Sequence, residues 1–396
     1  MSPALVIALL ALLLGMQPLT TDLYLPALPM VSTELGATVA QAQSTFTGLL
    51  LAFGCSQLLW GPASDRWGRR PILLTGLALY ILAAAACMLA PSMSVLVMAR
   101  VAQGMALGAA VVAARAIVRD LYAPVEGTQV MSKAMTGLGV LACSSPLVGS
   151  LLATHLGWRP TMAALMLAGV ATWVIVWLYF QESVQHRNPN ALQLRLLLSN
   201  WQRIGQHPTF LAYTLSTSCS YAGLVVFLTG TPFMFMQVLG WSATQVGLLL
   251  SCNGLVYLLG TILCRRLLRR WGVQKAIAIA GGIAVACGAL LLLLAFTGSR
   301  NPWAYAAVCM LYPIAHGIQQ PCGQSGAVSS FPQAAGTASA LNGFVMMIIA
   351  FATGQILGAY SNGTVYPLVF GMATWCAAAA LASWTLVRRY GAPSTS

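Results

Sequence analysis

Acidic side chains are rare in this sequence, and their positions limit the chemistry that it can carry out. The chain has 396 residues, of which 6% are charged. All of its acidic residues precede residue 183: Asp22, Glu34, Asp65, Asp120, Glu126 and Glu182. Chemistry that needs a carboxylate, such as the uptake and release of a proton, must therefore reside in the first half of the chain.

Other reactive side chains do not form a recognisable catalytic or metal-binding pattern. The ten cysteines form no CxxC pair, and no histidine stands near them at ligand spacing. No Walker A sequence and no serine–histidine–aspartate set stands out. We therefore predict neither an enzyme nor a metal site. The net charge of +13 gives little support to nucleic-acid binding, because the basic residues lie in short loops without interleaved aromatic residues.

The composition predicts an integral membrane protein. Hydrophobic residues make up 59% of the chain and charged residues only 6%. A soluble domain carries about 25% charged residues. The apolar runs are long and do not alternate, which favours helices of roughly 20 residues over barrel strands. We predict an all-α fold with twelve transmembrane helices, near residues 3–24, 43–64, 72–90, 95–117, 130–154, 160–180, 209–231, 243–264, 276–297, 303–325, 336–359 and 364–387.

The basic residues predict the orientation of these helices. We assign sixteen of the nineteen Lys and Arg residues to one side of the membrane. Arg159 and Arg300 fall on the other side, and Arg100 falls within a helix. Because Lys and Arg are enriched in cytoplasmic loops, we predict that both termini are cytoplasmic.

A polar segment divides the chain into two sets of six helices. We predict an N-terminal six-helix bundle over 1–180, a cytoplasmic linker over 181–208 and a C-terminal six-helix bundle over 209–396. Trp-Gly recurs at the same place in each half, in DRWGRR (65–70) and in RRWGVQ (269–274). Together with the helix count, this recurrence indicates two parallel repeats.

Asp22 is the acidic residue that we expect inside the membrane. It lies near the end of the first apolar run, and Arg100 lies at a similar depth in the fourth. A charge near mid-membrane costs about 2.5–3.5 kcal/mol on insertion scales, so it usually faces a partner or a cavity. We predict that Asp22 pairs with Arg100 and carries the proton. The alternative is that Asp22 caps a helix end at the membrane surface.

Several motifs resemble those of the major facilitator superfamily. GPASDRWGRR (61–70) resembles the loop 2–3 signature G-x-x-x-D-R-x-G-R-R of that superfamily. RVAQGMALGAA (100–110) resembles its helix-4 motif, R-x-x-Q-G-x-x-x-G/A-A. With TDLYLPALP (21–29), RAIVRDLY (115–122) and AGTASALNG (335–343), they resemble the Bcr/CflA group of bacterial drug:proton antiporters, which includes the bicyclomycin and phenicol exporters.

The resemblance covers essentially the whole chain and implies an activity. It implies the major facilitator fold, a location in the bacterial inner membrane and a monomeric state. It also implies export of small, mostly apolar antibiotics by alternating access. The implied partners are drugs, protons and the bilayer, and the implied energy source is the proton gradient, without a cofactor.

The resemblance also implies a role for the charged residues after the second helix. In such proteins this loop pairs its charges with neighbouring helices when the outside is open. Asp120 is the available acid for Arg66 or Arg69, and Arg115 is the available cation for Asp65. We expect a gate latch formed by Asp65, Arg66, Arg69, Arg115, Arg119 and Asp120. Positive-inside topology alone would explain the arginines but not Asp65.

The fifth helix departs from the family pattern. The antiporter motif there is G-x-x-x-G-P-x-x-G-G, and residues 141–150 read LACSSPLVGS. Pro146 and Gly149 are kept, whereas Leu or Ser replaces the other glycines. Close helix packing is therefore expected to differ here, and the motif supports antiport less firmly than Asp22 does.

A substrate cavity is expected between the two halves, near the middle of the membrane. Such a site has apolar and aromatic walls with a few polar groups. The candidates are Gln17, Tyr24, Gln57, Tyr221, Phe227, Asn253, Tyr257, His316, Gln319 and Gln355. His316 is either a hydrogen-bonded packing residue or a proton relay.

Two other functions are compatible with some of these features. A facilitator or symporter for sugars or metabolites would share the fold, but it would accumulate its substrate inside cells and confer no resistance. A receptor without transport would need a soluble output domain, and no predicted loop is long enough to form one.

Overall fold

The chain is helical in nearly all of the part that the structure describes. The computed structural model describes residues 3–391, except 123, 185–186, 188, 190 and 332–333, and no β-strand occurs among these residues. The all-α prediction is confirmed. The chain divides into two compact units, Met1–Leu198 and Ser199–Ser396. The division falls within residues 181–208, the segment predicted to be a linker.

The first unit consists of long helices joined by short turns. Its helices are α1 (Pro3–Asp22), α2 (Leu28–Glu34), α3 (Val39–Trp67), α4 (Arg69–Met88), α5 (Met93–Leu121), α6 (Pro124–Leu156) and α7 (Arg159–Tyr179). A 3₁₀ turn, Leu25–Ala27, separates α1 from α2. Pro26 and Pro29 are the second residues of the turn and of α2, where a backbone N–H would have no helical acceptor. A further helix, α8 (Leu194–Gly205), contains the division between the units.

The second unit repeats this arrangement. Its helices are α9 (Pro208–Phe233), α10 (Ala243–Phe296), α11 (Pro302–Cys309), α12 (Leu311–Ser329), α13 (Ala335–Ala359), α14 (Tyr366–Ala382) and α15 (Arg388–Tyr390). A π-helical turn at Met234–Val238 extends α9, and another at Ser383–Val387 joins α14 to α15.

The described helices supply twelve membrane crossings. Ten continuous helical segments are long and apolar enough to span a bilayer, and six of them lie in the first unit. The 54-residue helix α10 counts as one segment, but Gly272 interrupts it with φ 75° and divides it into two crossings. Helices α11 and α12 adjoin at Met310 and provide residues 302–329 as one more. Each unit therefore contains six crossings, as predicted.

The two units have the same internal packing. The second crossing contacts the fourth, the first contacts the fifth and the third contacts the sixth in each unit. Trp67-Gly68 and Trp271-Gly272 lie at equivalent breaks between the second and third crossings. Gly68 has φ 108° and Gly272 has φ 75°, a region that L-residues with a Cβ rarely adopt. The recurring Trp-Gly therefore marks a true internal repeat.

The second crossing of each unit also begins with the same cap. Thr38 precedes α3 and Ser242 precedes α10, and each hydroxyl accepts a hydrogen bond from a backbone N–H. Gln41 and Gln245, at the third position of their helices, complete the two capping boxes. This T/S-x-x-Q signature is readable in the sequence.

Candidate functional site

The first candidate site surrounds the side chain of Arg100, which is fully buried in the first unit. Its Nη1 donates a hydrogen bond to Gln103 Oε1 at 2.8 Å, and its Nη2 donates to the Thr20 carbonyl at 3.1 Å. The guanidinium carbon lies 4.7 Å from the centroid of the Tyr24 ring. Neutral acceptors and an aromatic face thus stabilise this buried cation.

Further hydrogen bonds hold the residues that Arg100 contacts. The Thr20 hydroxyl donates to the Met16 carbonyl at 2.5 Å and lies 2.7 Å from Tyr80 Oη. The Thr45 hydroxyl donates to Tyr24 Oη at 3.1 Å. Helices α1, α3, α4 and α5 all contribute to this network. The chain is therefore held in place both before Asp22, at Thr20, and after it, at Tyr24.

Asp22 is the last residue of α1 and is half-buried. Its Oδ1 accepts a hydrogen bond from the neighbouring Thr21 hydroxyl at 2.7 Å. The predicted ion pair with Arg100 is not formed among the described residues, because Arg100 instead contacts the backbone and the ring on either side of Asp22. Asp22 can therefore gain a proton without breaking an ion pair, and its role in proton transfer stays a prediction.

Arg69 is the centre of the charged cluster after the second crossing. Its side chain is 5% exposed. Arg69 Nη1 lies 2.6 Å from Asp65 Oδ1, and Nε lies 2.8 Å from Asp120 Oδ2. Nη1 also donates to the Ser64 hydroxyl at 2.8 Å. One buried guanidinium thus ties the adjoining ends of α3, α4 and α5 together.

The arginines of the predicted latch other than Arg69 are exposed. Asp65 lies 3.9 Å from Arg119 and 2.6 Å from Arg69, and its predicted contact with Arg115 stays a prediction. Arg115 and Arg119 are both exposed on α5. Arg66 is also exposed, and its guanidinium carbon lies 5.9 Å from the Trp67 ring centroid. The predicted Arg69–Asp120 contact is present, and its action as a gate stays a prediction.

Glu182 is exposed in the segment that follows α7, and its carboxylate also contacts the start of α4. Its carboxylate accepts hydrogen bonds from the backbone N–H groups of Arg69, at 2.8 Å, and Arg70, at 3.2 Å. These are the first two residues of α4, where an anion is stabilised by unpaired N–H groups and by the helix dipole. The next residue, Ser183, donates its hydroxyl to Asp120 Oδ2 at 3.2 Å. The segment after the sixth crossing therefore completes the cluster.

The remaining acidic residues lie at the surface. Glu34 ends α2 and contacts Arg159, with both side chains more than 40% exposed. Glu126 is exposed and lies in the first turn of α6. Neither residue contributes to the network around Asp22.

The unusual motif on the fifth crossing packs closely against the first. Gly149 lies against the Leu23 backbone, and a Cβ at Gly149 would overlap the Leu23 carbonyl. Pro146 lies inside α6, three residues earlier. At the other end of the motif, Leu141 replaces a glycine, and Gly15 on α1 faces it so closely that a Cβ there would overlap Leu141 Cδ1. At Gly149 the glycine that permits close packing lies on α6, and at Leu141 the facing glycine, Gly15, lies on α1.

The second candidate site surrounds His316 in the second unit. His316 lies on α12 with 4% exposure, and its Nδ1 is 2.8 Å from the Ser220 hydroxyl. The rings of Tyr221, Tyr257 and Tyr312 lie around the imidazole, with centroids 6.3, 5.6 and 6.2 Å away. Two of these tyrosines, Tyr221 and Tyr257, were predicted cavity residues.

The next turn of α12 adds buried amides to this region. Gln319 is 1% exposed, and neither its amide nitrogen nor its amide oxygen has a hydrogen-bond partner in the described part of the chain. Gln320 Nε2 lies 3.1 Å from Met346 Sδ, while its Oε1 is buried without a partner among the same residues. Buried amides usually have partners, so this region is suited to a polar group of a ligand.

The other predicted cavity residues are spread over several helices of the two units. In the first unit, Gln57 is buried on α3 and Gln17 is half-buried on α1. In the second, Phe227 is fully buried in α9, and Asn253 and Gln355 are half-buried on α10 and α13. Their part in a cavity between the halves stays a prediction.

Comparison with known families identifies this fold. The sequence model of the protein family described as "Major Facilitator Superfamily" matches residues 10–354, which is most of the chain. The chain belongs to the Major Facilitator Superfamily. As a member of this family it is a multi-pass membrane protein of a transporter family, which agrees with its many apolar helices long enough to span a membrane.

Individual proteins resemble the chain over most of its length. It is 25% identical over 380 residues to a "Bicyclomycin resistance protein homolog" of Haemophilus influenzae, covering 96% of this chain and 95% of that protein. It is 30% identical over 343 residues to "Multidrug resistance protein D" of Escherichia coli, covering 85% and 84%. The crystal structure of a D-xylose-proton symporter matches with a TM-score of 0.76 and 17% identity, covering 97% and 98%, which indicates a common fold.

Proposed function

We propose that the protein exports small, mostly apolar antibiotics from the bacterial cell in exchange for protons. The names of its relatives, a bicyclomycin resistance protein homolog and a multidrug resistance protein, support drug export. The excess of Lys and Arg at one side of the crossings supports an inner-membrane orientation with both termini in the cytoplasm. The proton gradient is the proposed energy source, and no bound cofactor is required.

The position of Asp22 carries the proton part of this proposal. Arg100 contacts the Thr20 carbonyl and the Tyr24 ring, two residues before and two residues after Asp22. The carboxyl group is thus held in a fixed turn at the end of a membrane helix, close to a buried cation. Because Asp22 forms no ion pair in this conformation, protonation changes the charge of the turn without disrupting its anchor. Arg100 is a positioning residue in this scheme.

The proton and the drug would drive each other through the same conformational change. If deprotonated Asp22 favours drug binding, bound drug must disfavour protonation by the same factor, because the coupling is reciprocal. The contacts of Arg69 with Asp65 and Asp120 would stabilise one of the two end states. A single exposed ion pair contributes about 0–1 kcal/mol, but a buried guanidinium with two partners can bias such an equilibrium further.

The second unit would supply polar contacts to the drug. The Gln319 amide, which has no partner among the described residues, can donate through its nitrogen and accept through its oxygen. The ring nitrogen of His316 that does not face Ser220 can donate or accept, depending on the tautomer. The tyrosine rings nearby offer apolar faces to neutral compounds. Selectivity for small, mostly apolar drugs is consistent with the absence of any acidic residue from this half of the sequence.

Resistance assays in an efflux-deficient bacterium test this function. The wild type and Asp22→Asn are expressed at matched membrane levels against a panel of bicyclomycin, phenicols, sulfonamides and cationic dyes. Glu34→Gln is the matched control, because it removes an exposed carboxylate that lies outside the Asp22 network. We expect the wild type and Glu34→Gln to raise the inhibitory concentration of some compounds, and Asp22→Asn not to do so.

The other outcomes separate the remaining possibilities. Equal resistance from Asp22→Asn would retain export but exclude Asp22 as the proton carrier. No resistance from the wild type against any compound would contradict drug export. Uptake and accumulation of a sugar or metabolite would then identify the chain as a symporter or facilitator.

A further inference from the structure

A pocket of about 590 Å³ lies at one end of the second unit, between α13 and α14. It adjoins the connection from Tyr360 to Tyr366, at the end of α14 opposite Arg388 and Arg389. Its volume falls within the range of small-molecule sites, about 300–1,000 Å³. It shares no lining residue with the network of Asp22 or with the cluster around His316.

The walls of this pocket are uncharged and rich in aromatic rings. None of the residues that line it is acidic or basic. Tyr366 and Phe370 present a pair of stacked rings with centroids 5.7 Å apart, and Trp375 and Tyr360 add two more rings. Such walls favour flat apolar groups and exclude ions, which would lose their hydration without gaining a partner.

Thr353 supplies a polar group to this apolar pocket. Its side chain lines the pocket, is 3% exposed, and has no hydrogen-bond partner for its hydroxyl within the described residues. A threonine inside a helix usually donates to a carbonyl one turn earlier, as Thr229 does to Val225 on α9. The Thr353 hydroxyl remains available to donate to a ligand acceptor.

We propose that this pocket is a binding site for small, uncharged aromatic compounds that carry one hydrogen-bond acceptor. The rings enclose the aromatic part of the ligand, and Thr353 donates to its acceptor. The hydrocarbon tail of a lipid could also enter an apolar groove, but it has no acceptor and would leave the Thr353 hydroxyl unpaired. The site goes beyond the proposed export function, because it requires neither Asp22 nor a proton gradient.

Photolabelling with benzophenone tests the site directly. Benzophenone is uncharged, has two aromatic rings and has a single carbonyl acceptor, and light links it covalently to nearby C–H groups. The full-length protein is labelled in detergent and in phosphatidylethanolamine–phosphatidylglycerol nanodiscs, and the labelled peptides are mapped by mass spectrometry. We expect saturable labelling of the pocket residues on α13 and α14 in both environments.

Two pairs of variants test the contacts. Thr353→Val keeps the shape but removes the donor, and we expect it to weaken labelling about three- to tenfold, the effect of one neutral hydrogen bond. Thr385→Val is its control, because Thr385 is exposed and already bonded to the Leu381 carbonyl. Ile356→Trp should block the pocket, whereas Ile348→Trp, also exposed on α13 but outside the pocket, should leave labelling unchanged.

The remaining outcomes overturn the proposal. Labelling that occurs in detergent but disappears in nanodiscs would mean that lipid occupies the pocket. Equal labelling of the wild type and Thr353→Val would exclude the hydrogen bond, and labelling spread over other helices would exclude the site. Asp22→Asn should be labelled like the wild type, so a failure of the export proposal does not affect this result.

Discussion

The paired positions of Gly15 and Leu141 provide a quantitative test of how the first and fifth crossings pack. A Cβ placed on Gly15 would overlap Leu141 Cδ1, and the nearest other atoms also belong to Leu141. We expect Gly15→Ala to destabilise the protein because of this overlap, and we expect Leu141→Ala to relieve it. The two substitutions should therefore not be additive.

The expected energies follow from opposing effects. Overpacking a core costs about 1–3 kcal/mol, whereas replacing a glycine inside a helix by alanine gains about 1 kcal/mol. Gly15→Ala alone should therefore cost about 0–2 kcal/mol. Leu141→Ala should cost about 2 kcal/mol, the low end of the range for buried leucines, because Leu141 is only half-buried. In the double variant the overlap disappears, so its cost should fall about 1–3 kcal/mol below the sum.

A double-mutant cycle measures this coupling. Unfolding of the purified variants is followed in one detergent, and the free energies or melting temperatures are compared. Gly137→Ala combined with Leu141→Ala is the matched control, because a Cβ on Gly137 would meet Ala11 instead of Leu141. Additive costs for Gly15→Ala and Leu141→Ala would refute the idea that α1 supplies the glycine missing from the α6 motif.

Three further substitutions test the first unit. Arg100→Lys should abolish resistance at normal protein levels, because an ammonium group cannot reproduce the planar contacts to Gln103, the Thr20 carbonyl and the Tyr24 ring. Arg69→Ala should destabilise the purified protein by about 2–3 kcal/mol, below the full cost of breaking a buried pair because its partners are partly exposed. Glu182→Gln should cost only about 0.3–1 kcal/mol in thermal unfolding, because it loses the charge but keeps an acceptor at the start of α4.

Specific results would contradict these expectations. Resistance retained by Arg100→Lys would mean that a positive charge at this position is sufficient and that the planar geometry of the guanidinium is not required. An unfolding temperature of Arg69→Ala equal to that of the wild type would exclude a stabilising cluster. A Glu182→Gln effect as large as that of Glu182→Ala would mean that the acceptor at the start of α4 contributes nothing.

The helices and the repeat could be predicted because they depend on local patterns. Long apolar runs specify membrane helices directly, and the two Trp-Gly pairs mark breaks that only glycine adopts readily. The contact between Arg69 and Asp120 could also be anticipated, since few acids are available to a basic cluster in this sequence. In these cases the composition itself limits the alternatives.

The contacts that the sequence did not reveal are made over long distances or to the backbone. Arg100 contacts the Thr20 carbonyl, and a backbone acceptor has no residue type that identifies it. Glu182 reaches the start of α4 across more than one hundred residues, so no local signature connects the two. Gly15 compensates for Leu141 from another helix, which a motif confined to one helix cannot show.

Proton release on drug binding is the most direct test of the central claim. The purified protein is placed in weakly buffered detergent solution, a transported compound is added, and the pH change is recorded for the wild type, Asp22→Asn and Glu34→Gln. We predict proton release from the wild type and from Glu34→Gln, and none from Asp22→Asn under conditions where it still binds the drug. Undiminished release from drug-bound Asp22→Asn would contradict the assignment of Asp22 as the proton carrier.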